Sequence, residues 1–226
     1  GTFNVLTRNA DDISRRAGRP IVIEQVAHRS IHPDCDITGI NATSDVFEVA
    51  NNPNVDVLVE LIGGYDIARE LVRTVMGNGK HVVTANKALM AKHGMALAKL
   101  AEEKQVDLLF EAAVAGGIPV VRVLRDSLAG VEIKRVAGIL NGTCNFLTTE
   151  MLATGRAYDE VLAEAQKLGY AEADPTLDVS GMDAAHKAAI LSAIAFSADL
   201  DFSKVEVSGV DGVELLDLRL ADRLGL

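Results

Sequence analysis

Residues 55–64, VDVLVELIGG, decide the fold. Apart from Asp56 and Glu60 the run is apolar, it is too short for a helix of ordinary length, and it ends on paired glycines. It reads as a strand buried on both faces and closed by a turn. Working outward, similar strand-like runs occur at 19–30 (RPIVIEQVAHRS) and 36–40 (DITGI) on one side, and at 80–87 (KHVVTANK) and 106–114 (VDLLFEAAV) on the other. Helical patterns separate them: a single helix over 1–18 (GTFNVLTRNADDISRRAG), then 45–51 (DVFEVAN), 67–79 (IARELVRTVMGNG) with a glycine stop, and 88–105. Alternating strand and helix implies a parallel sheet covered by helices, with ligands beyond the carboxyl ends of the strands. Those ends fall at His28-Arg29, Ile62-Gly63-Gly64, Thr84 to Lys87 and Glu111 to Gly117.

A dinucleotide fold opens with a strand, a glycine-rich turn and a helix, whereas this sequence opens with the helix. Gly1, followed by Thr2, stands where the tail of such a loop would meet the cofactor. The first strand and the loop are expected to lie in a longer parent chain. At the end of the next strand, where NAD-selective sites place an acid, stands QVAHRS. Arg29 either meets a 2′-phosphate, which admits NADP, or is simply solvated, and the residues leave both readings open.

In the second half, Pro119 marks a helix start, 131–140 (VEIKRVAGIL) reads as a strand, and Asn141-Gly142 is a turn signal. Thr143 or Asn145 would cap the helix of 146–155, its amides facing either nothing in particular or a polar ligand. The stretch 165–187, AQKLGYAEADPTLDVSGMDAAHK, gathers Glu172, Asp174, Asp178 and Asp183 ahead of Lys187 and the uncharged run AAILSAIAF. Asp183, Lys187, Ile190 and Ile194 share a helix face, and the helix is apolar on nearly every side. A capping box accounts for one acid, with Ser180 as N-cap and Asp183 three residues on. Several carboxylates and an ammonium at the mouth of a buried helix suit a small cationic, polar substrate, of which an amino acid is an example.

Composition excludes other classes. Acidic residues outnumber basic ones 32 to 22, for a formal charge of −10, and no basic run exists, so nucleic acid and anionic membrane are poor partners. No apolar run reaches the roughly 20 residues of a bilayer span, and no signal peptide is visible. Two cysteines, Cys35 and Cys144, without a CxxC suit a reduced, cytoplasmic setting. His81, His93 and His186 have no metal-ligand spacing, and no GxSxG occurs.

The stretch 165–187 closely resembles the signature of the homoserine dehydrogenase family. The segments LVELIGG, VVTANKAL, FEAAVAGGIPVVRVL and GILNGTCNFL support it in the order the family shows them, so the resemblance covers essentially the whole chain. It implies an α/β fold, with a Rossmann-type nucleotide-binding domain over 1–117, incomplete, and an α+β substrate and dimerisation domain over 118–226, also incomplete. It implies an NAD(P)-dependent oxidoreductase interconverting L-aspartate 4-semialdehyde and L-homoserine on the route to threonine and methionine, acting as a homodimer. By position, Lys187 would donate the proton to the carbonyl oxygen, Asp183 would orient it, and Glu172 and Asp178 would bind substrate. Lys87 would lie between nicotinamide and substrate, and it is the alternative proton donor. Ile62, Gly63, Thr84 and Gly169 would line the cofactor, with NADP or NAD admitted. Glu111 and the carbonyls of Val114, Gly116 and Ile118 would hold a monovalent cation, sodium or potassium. A dehydrogenase of another amino acid or semialdehyde, or a non-catalytic dimerising fragment, are the competing readings.

Overall fold

The protein is described from a computed structural model covering residues 1–29, 37–198 and 202–225. Two compact units divide the chain: Gly1–Thr84 with Ala96–Leu109, and Ala85–Met95 with Phe110–Leu226.

The first unit runs α1 (Thr2–Arg8), α2 (Ala10–Ala17), β1 (Gln25–Ala27), β2 (Asn41–Thr43), α3 (Val46–Asn51), β3 (Val57–Glu60), α4 (Asp66–Gly77), β4 (His81–Thr84), the later turns of α5 (Lys87–Lys104), and β5 (Leu108–Leu109). Every pairing is parallel. β1 and β2 form a pair with Gln25 opposite Asn41, and β3-β4-β5 form a second sheet with Val57 opposite His81 and Val82 opposite Leu108. α4 carries Ala68, Leu71, Val72, Val75 and Met76 on one face, all buried, and lays that face on β3 and β4. Each such fully buried aliphatic side chain contributes about 1.5–3 kcal/mol. α3 begins where Asp45 accepts the Phe47 N–H at 2.8 Å, and the C-terminal side of α3 is tied down by the Lys80 ammonium, bonded to the carbonyls of Ala50 and Asn52. A cation at carbonyls that have lost their helical donors is the favourable polarity.

Several sequence expectations shift here. The opening helix is two helices broken at Asn9, whose backbone leaves the helical region (φ −107°, ψ 23°) and which ends one helix and starts the next. Residues 37–40 are a turn through Gly39 (φ +83°), so the strand expected at 36–40 forms at 41–43; Asp36 lies outside the described residues. The run 19–30 pairs only over Gln25–Ala27. β3 alternates, with Leu58 and Glu60 buried and Val57 and Val59 exposed, so a continuous apolar run does not mean burial on both faces. Pleating sends successive side chains to opposite faces, and among the described residues only one face is covered.

The second unit takes the opening turns of α5 and continues through a 3₁₀ turn (Glu111–Ala113), α6 (Val120–Arg122) with a wide turn over Val123–Ser127, α7 (Gly142–Thr154), α8 (Tyr158–Leu168), α9 (Thr176–Val179), α10 (Met182–Phe196), a 3₁₀ turn (Phe202–Lys204) and α11 (Leu215–Leu224). Its core joins Leu147 and Met151 of α7 to Val161 and Ala165 of α8, with Ala171, Leu215 and Leu218 closing the sides. Four-residue spacings put each pair on one helix face. Segment 131–140 forms no strand, although its sequence reads as one; no neighbouring strand exists for it among the described residues of this unit, and a ladder needs two. No residue from Met182 to Ala195 is exposed, which bears out the buried reading of α10. The turn ahead of α10 is clamped by the segment 207–210. The Val210 N–H bonds the Val179 carbonyl at 2.8 Å, and Gly181 (φ +81°) faces the Ser208 carbonyl so closely that a Cβ would sit 2.6 Å from it.

Candidate active site

The second unit holds a charged cleft of about 540 Å³ lined by Lys87, Asn141, Thr143, Asp178, Asp183 and Lys187 at one end, and by Phe146, Thr149, Glu150 and Tyr170 along its side. Four helix beginnings build it. Asn86 caps α5 by accepting the Leu89 N–H at 3.0 Å, which puts Lys87 on the first helical position. Asn141 caps α7, its Oδ1 accepting the Cys144 N–H at 2.8 Å. Asp178 lies on α9, whose opening is held by Asp174 accepting both the N–H and the O–H of Thr176. Asp183 occupies the first turn of α10, and Lys187 follows one turn later.

Asp183 is the hub. Only 3% exposed, it takes Lys187 Nζ at 2.6 Å and Asn141 Nδ2 at 2.9 Å on Oδ2, while Oδ1 faces the Lys87 ammonium. Burial pushes its carboxyl upward, but hydrogen bonds from Lys187, Lys87 and Asn141 outweigh it and hold the group below the ordinary carboxylate range. Lys187 Nζ also donates to the Leu140 carbonyl at 2.8 Å, so two of its three N–H bonds are committed among the described residues and one remains for a ligand. Asn141 Nδ2 donates its second hydrogen to Asp178 Oδ1 at 2.8 Å, and Asp178 Oδ2 accepts from Thr143 Oγ1 at 3.3 Å. Behind Asp183, His186 is buried and stacked on Phe202 with ring centroids 4.9 Å apart. Burial lowers its pKa, Asp183 opposes the shift and Lys87 reinforces it, so the ring is neutral at pH 7 and packs rather than titrates. Burial likewise raises the Cys144 thiol, helped by Asp178 and Asp183, which makes it an inert filler.

The structure thus brings together Lys87, Asp178, Asp183 and Lys187 from the sequence candidates. Glu172 is exposed and does not line the cleft; its carbonyl accepts from Gln166 Nε2. Gly169 ends α8 in the left-handed region (φ +80°). Ser180 is not the cap of α10: Gly181 holds that place without a side-chain bond, which frees Asp183 to face the two lysines. Nor do Thr143 and Asn145 cap α7, because Asn141 reaches the Cys144 N–H first. Asn141 is the residue sequence reasoning missed, although the Asn-Gly pair before a helix was its signal.

In the first unit, Ile62, Gly63 and Thr84 are organised by Glu60, which is 1% exposed. Its Oε1 accepts the N–H groups of Ile62 (2.9 Å) and Gly63 (3.1 Å), and its Oε2 accepts the Thr84 hydroxyl at 2.5 Å. Gly63 and Gly64 adopt positive φ with no atom within 4 Å of where a side chain would stand, so a ligand has access to the backbone. The residues fit a nucleotide at the carboxyl ends of β3 and β4. Gly1 supplies the carbonyl that starts α1 at Thr2, and Arg29 is exposed after β1. Around Glu111, both carboxylate oxygens accept backbone N–H groups, from Val121 (3.0 Å) and Arg122 (2.9 Å), and the Ile118 carbonyl accepts from Val120. Glu111 and the backbone carbonyls of Val114, Gly116 and Ile118 would offer oxygen donors alone, the chemistry a hard cation takes. No cluster of three or more His, Cys, Asp or Glu side chains suited to a metal occurs among the described residues.

Parallel strands alternating with helices in one unit, and a lysine–carboxylate cleft in the other, define an α/β protein with a Rossmann-like unit and a separate polar site. Comparison with known proteins carries this further. The model of the homoserine dehydrogenase NAD-binding domain matches residues 1–111, and the homoserine dehydrogenase model matches 119–226. Homoserine dehydrogenase of Pseudomonas aeruginosa is 55% identical over 225 residues, covering 100% of this chain and 52% of its own length. The crystal structure of a homoserine dehydrogenase from Thiobacillus denitrificans superposes with a TM-score of 0.92 at 48% identity, over 99% of this chain and 52% of that one. A hyperthermophilic archaeal homoserine dehydrogenase in complex with NADPH superposes at 0.69 with 28% identity, over 91% of this chain and 59% of that one. The chain belongs to the homoserine dehydrogenase family, and it spans about half the length of the relatives it matches.

Proposed function

We propose that this chain carries the substrate site, and part of the nucleotide site, of an enzyme interconverting L-aspartate 4-semialdehyde and L-homoserine with NADP or NAD. The observation that carries this reading is the Lys187–Asp183–Lys87 cluster, bridged to Asp178 by Asn141 in an open cleft.

The bound nicotinamide would supply or take up the hydride, held by the Ile62-Gly63 turn, Thr84, and Gly1 with Thr2; Arg29 would admit a 2′-phosphate, and Gly169 and Lys87 complete the family's set. Everything else falls to side chains of the cleft. An aldehyde oxygen gains negative charge as its carbon is reduced, so the uncommitted N–H of Lys187 both stabilises that charge and delivers the proton. The Leu140 carbonyl and Asp183 hold the amine in place while this happens. In the oxidation direction Lys187, having lost its proton, takes the hydroxyl hydrogen. Lys87 faces the other oxygen of the same carboxylate and adds positive charge near the substrate carboxylate. Asp178, lining the cleft, receives the substrate ammonium, and Glu172 is the second acid the family correspondence assigns to it.

The same reading places the enzyme on the route to threonine and methionine, in the cytoplasm, as a homodimer, with sodium or potassium held by Glu111 and the carbonyls of Val114, Gly116 and Ile118. Steady-state oxidation of homoserine with NAD and with NADP, side by side, tests it. Homoserine-dependent formation of reduced nucleotide supports the reading, and a preference for NADP supports the role of Arg29. No homoserine binding and no turnover with either nucleotide would overturn it.

A further inference from the structure

The residue pair at the mouth of α7 does more than start a helix. The Leu140 carbonyl takes the Lys187 ammonium at 2.8 Å, and the next residue, Asn141, gives one hydrogen to Asp183 at 2.9 Å and the other to Asp178 at 2.8 Å. The amide cannot turn over. Its oxygen is committed to the Cys144 N–H at 2.8 Å, so its nitrogen must face the two carboxylates, and the whole side chain is only 6% exposed. Two carboxylates that accept from one amide stand close together, and that amide offers each of them one hydrogen. The other charged or titratable groups around this point are Lys187 and His186 from α10, Lys87 from α5, Cys144 and Glu150 from α7, and Tyr170 after α8.

We infer that Asn141 is a positioning residue for the reaction: with the Leu140 carbonyl it grips the Lys187–Asp183 pair from both ends and yokes Asp178 to it, fixing the proton donor and the ammonium-binding acid in one frame. This rests on the functional reading above only for the names of the two roles; the clamp itself is a statement about side chains. Its consequence is that the two acids keep a fixed separation and orientation, and that substrate binding and proton delivery depend on a residue that need touch neither.

The test uses the full 226-residue chain with Asn141→Ser and Asn141→Ala. Serine is an N-cap comparable to asparagine, whereas alanine is not, so helix starting separates the two variants. The bridge does not separate them, because a serine hydroxyl is one atom shorter and carries a single hydrogen. Carbon-13 carboxyl titrations of Asp178 and Asp183 by NMR, melting temperature, and homoserine affinity by calorimetry are read together. The expected result is a melting temperature that falls more for Asn141→Ala than for Asn141→Ser, with an equal rise in both of about one pH unit in the Asp183 midpoint. Homoserine affinity falls about tenfold in both, and KM rises together with a lower kcat. Asn141→Ser with wild-type titrations and wild-type affinity would overturn the clamp and leave Asn141 a helix cap. Should the wild-type chain fail to bind homoserine, the functional reading falls, while the carboxyl titrations still decide the clamp.

Discussion

Replacing Asp183 by asparagine removes one negative charge from the centre of the cleft with almost no change in shape. The asparagine has two orientations. With its oxygen at the Oδ2 place it keeps the bonds from Lys187 and Asn141 but turns an NH₂ toward the Lys87 ammonium; the reverse sets that NH₂ against both Lys187 and Asn141. The first orientation wins, so the loss is the charge assistance on the Lys187 bond and the contact with Lys87. A hydrogen bond to a charged group is worth roughly 1 kcal/mol more than a neutral one, and the Lys87 pair, screened by water, adds about 0–1 kcal/mol. Lys87 is 42% exposed, which is why its share is small. Relief of burying a charge offsets part of this, leaving about 0.5–1.5 kcal/mol, or roughly 1–6 °C in melting temperature for a chain of this size. The pH dependence follows from the lowered Asp183 pKa. A group depressed in the folded state contributes stability that is present above its unfolded pKa, about 3.9, and is lost as pH falls through the folded value. The deficit of Asp183→Asn is therefore full at pH 7 and shrinks below about pH 4. Turnover is expected to fall about 100-fold through misplacement of the Lys187 amine. Urea unfolding across pH, paired with steady-state assay, measures both. Equal stability at pH 7, or a deficit that persists undiminished at the acid end, would refute the charge account.

Three further changes probe separate parts of the argument. Lys187→Ala is expected to lower kcat by about 10²–10⁴-fold with a smaller change in KM, since the amine acts mainly in the transition state; near wild-type turnover would remove it as proton donor. Glu60→Gln keeps the acceptor for the Ile62 and Gly63 amides but presents an NH₂ to the Thr84 hydroxyl, and is expected to cost about 1.5–3 kcal/mol in urea unfolding and to weaken nucleotide binding measured by fluorescence. Gly209→Ala places a Cβ 2.5 Å from the Val179 carbonyl and 2.7 Å from Asp211 Oδ1, which is expected to destabilise by about 1–3 kcal/mol and to loosen the turn ahead of α10, whereas Gly212→Ala, with nothing within 4 Å, serves as the neutral control.

How much of this was legible before coordinates depends on whether a feature is local. The alternation of β3, α4, β4 and α5 follows from short apolar runs between helical periods, and the burial of α10 follows from its even apolar coat; both are read within a dozen residues. The 131–140 segment failed because a strand is a relation between two segments, and its own β-branched residues say nothing of a partner. The β3 faces failed for a related cause: Val57 and Val59 are apolar, but what covers them is not written in their own segment. Ser180 misled because a serine three residues before an acid satisfies the capping pattern, while Gly181 in the left-handed region had already turned the chain. The cleft itself was half legible. Lys187 and Asp183 are one helical turn apart and announce each other, whereas Lys87 and Asn141 reach Asp183 from residues about 100 and about 40 positions away, a distance no local periodicity spans.

What unites those distant residues is the end of the helix at which they sit. Lys87 opens α5, Asn141 opens α7, Asp183 opens α10, and Asp178 lies on the short α9 beside them. Helix beginnings carry partial positive charge, so they stabilise Asp183 where it stands and disfavour Lys87 where it stands. A sequence selected for helix stability alone would put an acid at the first position of α5. The lysine there is tolerated because Asp183 lies against it, and the carboxylate in turn is kept ionised in a buried place by donors from three helices. The arrangement sets two ammonium groups and the carboxylates of Asp178 and Asp183 around one cleft, so that a ligand carrying both signs of charge finds a partner for each. On the reading proposed above, an aldehyde oxygen gaining negative charge would meet those ammonium groups, and that use would justify the local cost of a misplaced cation.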